Sequence, residues 1–219
     1  MKQPEARIVR ELGSPALSSR AQSRVDKFAA RREQLAESAI QTLATLGYAR
    51  TSLRDIAQNT ELSHGSLHYY FEDKVDLILC CVRQYKEACI RHYDQLMEAC
   101  RSAEEVRLGF AAALVASVRD EGWLHRLWYD LRNQSLFDDR FRDAVLDIDS
   151  RLEQMIWRVV TQYADYSGAV TTVDPHLAYS TFDGLFLRAL LHHFGGRDDA
   201  LDTLHANAAG VMLTMVKQR

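Results

Sequence analysis

The 219-residue sequence has few residues that interrupt regular helices: it contains three prolines and ten glycines. The prolines are Pro4, Pro15 and Pro175, so the long stretch between the last two contains none. A chain rich in β-strands would normally need more turn residues over that length. The sequence therefore favours an all-α protein.

Long apolar runs and targeting signals are also missing. The run from Leu77 to Val82 is among the longest, far short of the ~18 residues that a membrane span requires. The charged N-terminus is not followed by an apolar stretch, so no secretory signal is visible. The four cysteines form no CxxC motif and lie between Cys80 and Cys100. A disulfide framework is thus disfavoured, and we expect a cytoplasmic protein.

The composition is that of a globular protein, with 47% hydrophobic and 26% charged residues and a net charge of −3. The charge is unevenly distributed. Residues 1–32 carry eight basic side chains and three acidic ones. Such a basic segment suits a polyanionic partner, although a solvated tail would have the same composition.

Apolar periodicity divides the chain into three parts. Residues 1–27 are expected to form a basic, mostly irregular arm. Residues 28–72 hold three helices, two of them very short, with Ser52 and Ser63 as candidate N-caps. Residues 73–219 form a larger helical domain. Within it we expect Gly122 to separate two helices and Gly184 to allow close packing of another helix.

The two short helices are typical of a helix-turn-helix, whose second helix enters the major groove of DNA. Leu67 and Phe71 would face inward. Thr51, Ser52 and Lys74 lie at helix N-termini, where N–H groups, hydroxyls and an ammonium bind phosphates. The side chains expected to face outward are His64, Gly65, Ser66, His68 and Tyr69.

Three segments resemble the DNA-binding domain of TetR/AcrR-type transcriptional regulators: Thr51–Ala57, Leu62–Phe71 and Lys74–Leu77. The resemblance implies phosphate contacts by Thr51, Ser52, Tyr70 and Lys74, and base or sugar contacts by Ser66, His68 and Tyr69. Arg54 would reach a base or a phosphate. The sequence departs from the family pattern at Glu61, where glycine is common, at His64, where lysine or arginine is common, and at His68, where tyrosine is common. The predicted DNA-binding residues are Thr51, Ser52, Arg54, His64, Gly65, Ser66, His68, Tyr69, Tyr70 and Lys74.

The resemblance also implies that residues 73–219 bind a small molecule and form a homodimer. Core packing alone would also explain the aromatic residues there. The stretch from Trp128 to Val160 further resembles choline-responsive repressors of the family, in which aromatic rings would surround a quaternary ammonium. The candidate ligand-binding residues are Phe110, Trp123, Trp128, Tyr129, Arg132, Trp157, Phe182 and Asp183.

The last two helices carry more apolar surface than one small helical layer can cover, which favours a two-fold dimer. The residues concerned are Leu187, Leu190, Leu191, Phe194, Val211, Met212 and Met215.

The expected function is that of a sequence-specific DNA-binding transcriptional regulator, a repressor released from a palindromic operator by a small-molecule effector. No cofactor, metal, membrane or enzymatic activity is expected. Two alternatives stay open: an all-α interaction protein whose helix-turn-helix docks a partner, and a redox-responsive regulator that uses Cys80 and Cys81. An all-α enzyme using histidine or cysteine is a further competitor.

Overall fold

The computed structural model describes residues 15–47, 51–60 and 62–218, with side chains from Val25 onward. Over these ranges the chain folds into eight helices and one two-stranded ribbon, which confirms the all-α fold class. None of these helices is long and apolar enough to cross a membrane. The elements are α1 (Pro15–Leu46), α2 (Leu53–Gln58), α3 (His64–Tyr70), α4 (Lys74–Ala99), α5 (Ala103–Gln134), α6 (Asp139–Tyr166), β1 (Ala169–Thr171), α7 (Pro175–Phe194), α8 (Ala200–Thr214) and β2 (Val216–Gln218).

The first helix is longer than the sequence patterns indicated. Residues 15–27 were expected to be mostly irregular, but they form the first part of α1, so the boundary at Phe28 falls inside a helix. Serine only weakly disfavours a helix, and Pro15 stands in the first turn, where its missing N–H costs no hydrogen bond. The rest of the basic arm, residues 1–14, lies outside the described part of the chain.

Side-chain caps begin most of the helices as the sequence indicated. Ser52 and Asp55 form a reciprocal capping box at α2, and the Ser63 hydroxyl accepts the Ser66 N–H at α3. Because each N-terminus leaves N–H groups without partners inside the helix, these caps determine where the two short helices begin. Side chains also cap α4, α5, α6 and α7, at Asp73, Ser102, Asp138 and Asp174.

The ribbon was not predicted. β1 and β2 pair antiparallel, with Val170 opposite Lys217, and connect the end of the described chain to the turn between α6 and α7. Strands of three residues are too short to show a recognisable alternation in the sequence.

The expectation that Gly122 separates two helices is wrong, because α5 runs unbroken through it. Gly122 is buried, and a Cβ placed there would lie 3.2 Å from Leu190 Cδ1 and 3.5 Å from Phe194 Cζ. The glycine therefore lets α7 approach the backbone of α5 closely. Gly184 has the opposite surroundings: it is exposed, and among the described residues no atom from another part of the fold comes within 4 Å of a Cβ placed there.

One continuous core joins the two ends of the molecule. Leu67 and Phe71 of α3 pack with the apolar side of α1, and α4 extends from this group into the larger helical region. There α5 lies among α4, α6, α7 and α8, with Trp128 fully buried at its centre.

Replacing Gly122 by valine should test the close approach of α7 to α5. The added methyl groups would overlap Leu190 and Phe194, so we expect the free energy of unfolding to fall by about 1–3 kcal/mol. Gly109→Ala on the same helix is the control, since its Cβ would meet only Cys100 Sγ at 3.9 Å and should stabilise α5 slightly. Urea unfolding of both variants checks this, and an unchanged stability for Gly122→Val would contradict the packing.

Candidate functional site

The α3 helix presents one face to solvent and buries the other. Leu67 and Phe71 are essentially inaccessible, whereas His64, Gly65, His68 and Tyr69 are exposed, with 72% of Tyr69 accessible. No atom lies within 4 Å of a Cβ placed on Gly65, so the backbone there is open to close approach. One side of α3 is therefore packed against the protein core, and the opposite side is accessible to solvent.

An aromatic group on α1 supports the C-terminal half of α3. Phe28 stacks at a tilt on Tyr70, with ring centroids 4.8 Å apart, and meets Tyr69 edge-on at 6.0 Å. The sequence analysis assigned no role to Phe28, although it opens the apolar pattern of α1. Because it contacts both tyrosines, Phe28 restricts their orientation on the exposed face.

His64 and His68 form a pair on the outer face of α3. They are one helical turn apart, and their Nε2 atoms are 3.2 Å apart, so one ring donates a hydrogen bond to the other. Their rings meet edge-on, with centroids 4.4 Å apart. The pair therefore presents a preorganised polar surface next to Tyr69.

The other predicted DNA-binding residues are placed unequally. Ser52 and Arg54 are exposed at the start of α2, whereas Ser66, Tyr70 and Lys74 are half-buried. Burial lowers the pKa of Lys74. Glu61, the departure in the turn, lies outside the described residues.

Thr51 departs from its predicted role. Its side chain is 3% exposed, and its hydroxyl donates a 2.6 Å hydrogen bond to the Gly47 carbonyl at the end of α1. A phosphate contact by this hydroxyl therefore does not fit the structure. Thr51 instead connects α2 to α1. The sequence pattern could not show this, because a threonine hydroxyl can bind either a phosphate or a backbone carbonyl.

Three arginines connect the helices next to the helix-turn-helix. Arg126 of α5 donates to the Ala44 carbonyl at 2.7 Å, near the C-terminal end of α1. Arg140 of α6 lies 3.2 Å from Asp73, the N-cap of α4. Arg32 of α1 pairs with Asp76 of α4 at 2.5 Å. These contacts therefore hold α1 to α4 and α5, and the start of α4 to α6.

A cavity of about 60 Å³ lies between α4, α5, α6 and α7. Four of the eight predicted ligand residues line it: Trp128, Tyr129, Phe182 and Asp183. The remaining lining residues are Lys86, Cys89, Tyr93, Leu114, His125, Leu152, Met155, Ile156, Tyr179 and Phe186.

The other four predicted ligand residues do not line the cavity. Phe110 is fully buried and packs edge-on against Phe182, with centroids 5.1 Å apart, which places it behind the lining. Arg132 reaches the site through Asp183, to which it donates at 2.7 Å. Trp123 and Trp157 are half-buried elsewhere. That a residue is aromatic does not show from the sequence whether it lines the cavity or packs in the core behind it.

Lys86 is the most informative residue that the sequence analysis missed. It lies within the apolar stripe of α4, between Val82 and Cys89, and only 3% of it is exposed. Its Nζ lies 3.1 Å from His125 Nδ1 on α5. A lysine one turn after a buried valine was the available signal.

Burial controls the ionisation of these two groups. It lowers the pKa of Lys86 from 10.5 to about 8, and it lowers the pKa of His125 well below 6.5, with help from the neighbouring ammonium. At neutral pH, therefore, Lys86 is mostly charged and His125 is neutral. The neutral imidazole accepts from Lys86 at Nδ1, which leaves its Nε2–H as a donor.

A second polar group lies beside this pair. The Asp183 carboxylate accepts from Arg132 and, at 2.8 Å, from the Tyr129 hydroxyl. Asp149 accepts from Tyr179 at 2.5 Å and lies 3.4 Å from Arg132. Arg132 is thus shared by two carboxylates that are each also bound by a tyrosine.

The cysteines do not have the surroundings of a redox sensor. Cys81 is fully buried, with its thiol donating to the Ala36 carbonyl, and Cys80 is half-buried. Burial raises the pKa of both thiols. Reactive cysteines need accessible thiolates, so the redox alternative loses support.

The outer sides of α7 and α8 form an apolar and small-residue surface, here called the α7–α8 face. Leu177, Gly184 and Leu191 lie seven residues apart on α7, and Gly210 and Leu213 are exposed on α8. Three of the seven residues predicted to need an intermolecular partner, Leu190, Met212 and Met215, are instead buried within the chain.

Replacing Lys86 by methionine should stabilise the protein in a pH-dependent way. Below about pH 8 the folded protein holds a buried charge, and the lowered pKa corresponds to a penalty of about 3 kcal/mol. Between about pH 8 and 10.5 the unfolded lysine binds more protons than the folded one, so wild-type stability rises with pH relative to the variant. Urea unfolding from pH 7 to 10.5 checks this, and a difference that does not change with pH would contradict it.

Comparisons with known proteins agree with this geometry. Residues 35–80 match the model of bacterial regulatory proteins of the tetR family. A TetR transcription regulator from Haloarcula marismortui superposes with a TM-score of 0.70 at 19% identity, over 85% of this chain and 98% of that one.

Two further structures were determined with ligands. The regulator FadR from Bacillus subtilis, in complex with stearoyl-CoA, gives a TM-score of 0.66 at 15% identity over 83% of this chain and 97% of that one. A transcriptional regulator from Saccharomonospora viridis, in complex with choline, gives a TM-score of 0.69 at 19% identity, over 86% of this chain and 98% of that one. At these identities the likeness shows the fold. Together with the match over residues 35–80, the shared fold supports a TetR-type, DNA-binding regulator.

Proposed function

We propose that the protein is a homodimeric repressor that binds a palindromic operator and is released by a small molecule. In this proposal residues 28–72 bind DNA, assisted by the basic arm of residues 1–27. Residues 73–219 bind the effector and form the dimer. The protein would act in the cytoplasm, where it meets its operator, and would catalyse no reaction.

The exposed face of α3 carries the proposal. A seven-residue helix with hydrogen-bonding side chains in front and apolar anchors behind fits a major groove about 12 Å wide. His68 and Tyr69 would contact base edges, and exposed Ser52 and Arg54 would bind the phosphates alongside. Core packing does not explain this surface, since the exposed ring of Tyr69 contributes little to the core.

The α7–α8 face supports the dimer. Leu177, Leu191 and Leu213 are each more than half exposed, and Gly184 and Gly210 would let another helix approach closely. Two copies joined here would cover apolar surface that water otherwise contacts. A two-fold pair would also present two α3 helices to the two halves of a palindrome.

The position of α4 supports release by an effector. Three residues separate this helix from the end of α3, and it lines the cavity with Lys86, Cys89 and Tyr93. A ligand that favours a shifted α4 would change the separation of the two α3 helices in a dimer. Such a ligand lowers operator affinity by its difference in affinity for the two conformations.

Sequence-specific DNA binding is tested by the Tyr69→Ala variant. We expect gel shifts on a duplex selected from random sequences to show affinity at least about 10-fold weaker than wild type, because a groove contact is lost. Wild-type affinity should also fall steeply with salt.

Tyr166→Ala is the matched control. Tyr166 is partly exposed at the far end of α6, where its hydroxyl donates to the Cys100 carbonyl at the end of α4. It should leave operator affinity unchanged. Equal affinity for Tyr69→Ala and Tyr166→Ala, or failure to select any sequence, would refute the DNA-binding proposal.

The dimer is tested by Leu213→Asp. A charge on the α7–α8 face should remain exposed at little cost in the monomer but be costly in an interface. We expect light scattering to show a dimer for wild type and a predominantly monomeric Leu213→Asp. Leu136→Asp, at an exposed leucine in the turn between α5 and α6, should stay dimeric. A monomeric wild type would exclude the proposed assembly.

A further inference from the structure

The cavity contains hydrogen-bond donors without matching acceptors. Lys86 Nζ has a single hydrogen-bond partner among the described residues, the Nδ1 of His125. His125 is 6% exposed, and its Nε2 is a buried atom without a partner in the described part of the chain. A buried donor that binds nothing costs free energy, so native proteins seldom retain one without a reason.

Among the described residues, the buried ammonium of Lys86 is compensated by carboxylates at a distance rather than by direct contact. Asp183 is the carboxylate among the described lining residues, and it is already bound by Arg132 and Tyr129. Lys86 makes no ion pair of its own in this part of the chain, although the charges of Asp183 and Asp149 act on its ammonium and raise its pKa against the effect of burial. The ammonium therefore has hydrogen-bonding capacity for an additional anionic group.

Two of the aromatic rings that line the site, those of Trp128 and Tyr129, already face cations of the protein. Lys86 Nζ lies 5.2 Å from the centre of the Trp128 ring, and the Arg132 guanidinium lies 5.8 Å from Trp128 and 5.6 Å from Tyr129. A quaternary ammonium would have to displace these groups and would meet like charge. The choline expected from the resemblance to choline-responsive repressors is thus disfavoured.

The rest of the lining and the size limit the remainder of the ligand. Leu114, Leu152, Ile156 and Phe186 form an apolar wall. A cavity of about 60 Å³ holds roughly four to six waters, at about 10–15 Å³ each, so its ligand must be a small molecule.

We propose that the effector is a small monocarboxylate with an apolar body, whose carboxylate accepts a hydrogen bond from Lys86 Nζ. The inference rests on the proposed effector function of this cavity. The carboxylate supplies an acceptor that the Lys86 ammonium lacks, and the short hydrocarbon part contacts the apolar wall. Charge-assisted hydrogen bonds of this kind are shorter and stronger than neutral ones.

The test is titration calorimetry of the full-length protein with butyrate and benzoate. Their matched neutral analogues are 1-butanol and benzyl alcohol, and their cationic counterparts are butylammonium and choline. We expect a carboxylate to bind at least about 10-fold more tightly than the alcohol of the same skeleton, because a charge-assisted hydrogen bond is lost in the alcohol. Equal affinities, preference for an ammonium, or no binding of either carboxylate would overturn the proposal.

The Lys86→Met variant distinguishes the contribution of the carboxylate contact to affinity from the contribution of the ligand's fit in the cavity. The variant should bind the carboxylate roughly 10- to 100-fold more weakly and the alcohol about equally well. Lys217→Met, which changes an exposed lysine on β2, should behave as wild type. His125→Phe should give a smaller loss. Unchanged carboxylate affinity in Lys86→Met would overturn the proposal.

A metal ion is the competing occupant. Single ligand atoms of Cys89, Glu121 and His125 all lie within 4.8 Å of one another. Zn²⁺ is therefore titrated in the same way. Zinc binding that Lys86→Met leaves unchanged and that carboxylates do not weaken would assign the His125 nitrogen to a metal and contradict the proposal.

Gel shifts with the selected duplex distinguish the two levels of inference. If wild type and Lys86→Met both bind DNA but the carboxylate releases neither, the effector assignment fails and the regulator remains. If neither binds any duplex, the proposed function fails, whereas calorimetry still decides what the cavity binds. The expected result is release of wild type by the carboxylate and retention of Lys86→Met on DNA.

Discussion

The fold depends on the burial of Leu67 and Phe71 against α1 and α4, because these two residues set which side of α3 faces outward. A seven-residue helix is too short to be stable alone. The Ser63 cap and the apolar anchors behind it supply the stability that its length does not. With the inner side determined in this way, His64, His68 and Tyr69 face solvent.

The same arrangement connects recognition to the interior. The α4 helix contributes Val75 and Ile78 to the core behind α3 and, two turns later, contributes Lys86 to the cavity. Arg126 and Arg140 hold α5 and α6 to the ends of α1 and α4. A helix of 26 residues that joins two packed regions transmits a displacement along its axis because its backbone hydrogen bonds keep it rigid. In the proposed mechanism, this helix relates occupancy of the cavity to the spacing of the two recognition helices.

Local sequence signals predicted the local structure well and the tertiary contacts poorly. Caps at Ser52 and Ser63 and the apolar repeats placed α2, α3 and α4, because these depend on residues within one or two turns. Gly122 allows close packing against Leu190, which lies far along the chain. Local periodicity contains no information on that contact, so the glycine was interpreted as a helix break. Thr51 and Lys86 show the same limit. A threonine hydroxyl can bind a phosphate or a backbone carbonyl, and a lysine can face water or a cavity. Only the packing of the neighbouring helix decides between these alternatives.

The central claim is that two α3 helices of a symmetric pair enter the major groove. Dimethyl sulfate footprinting on a selected duplex tests it most directly, since the reagent methylates guanine N7, which lies in that groove. The account predicts protection of guanines in two half-sites related by two-fold symmetry. Binding that leaves every guanine in the major groove reactive, or that protects a single half-site, would contradict it.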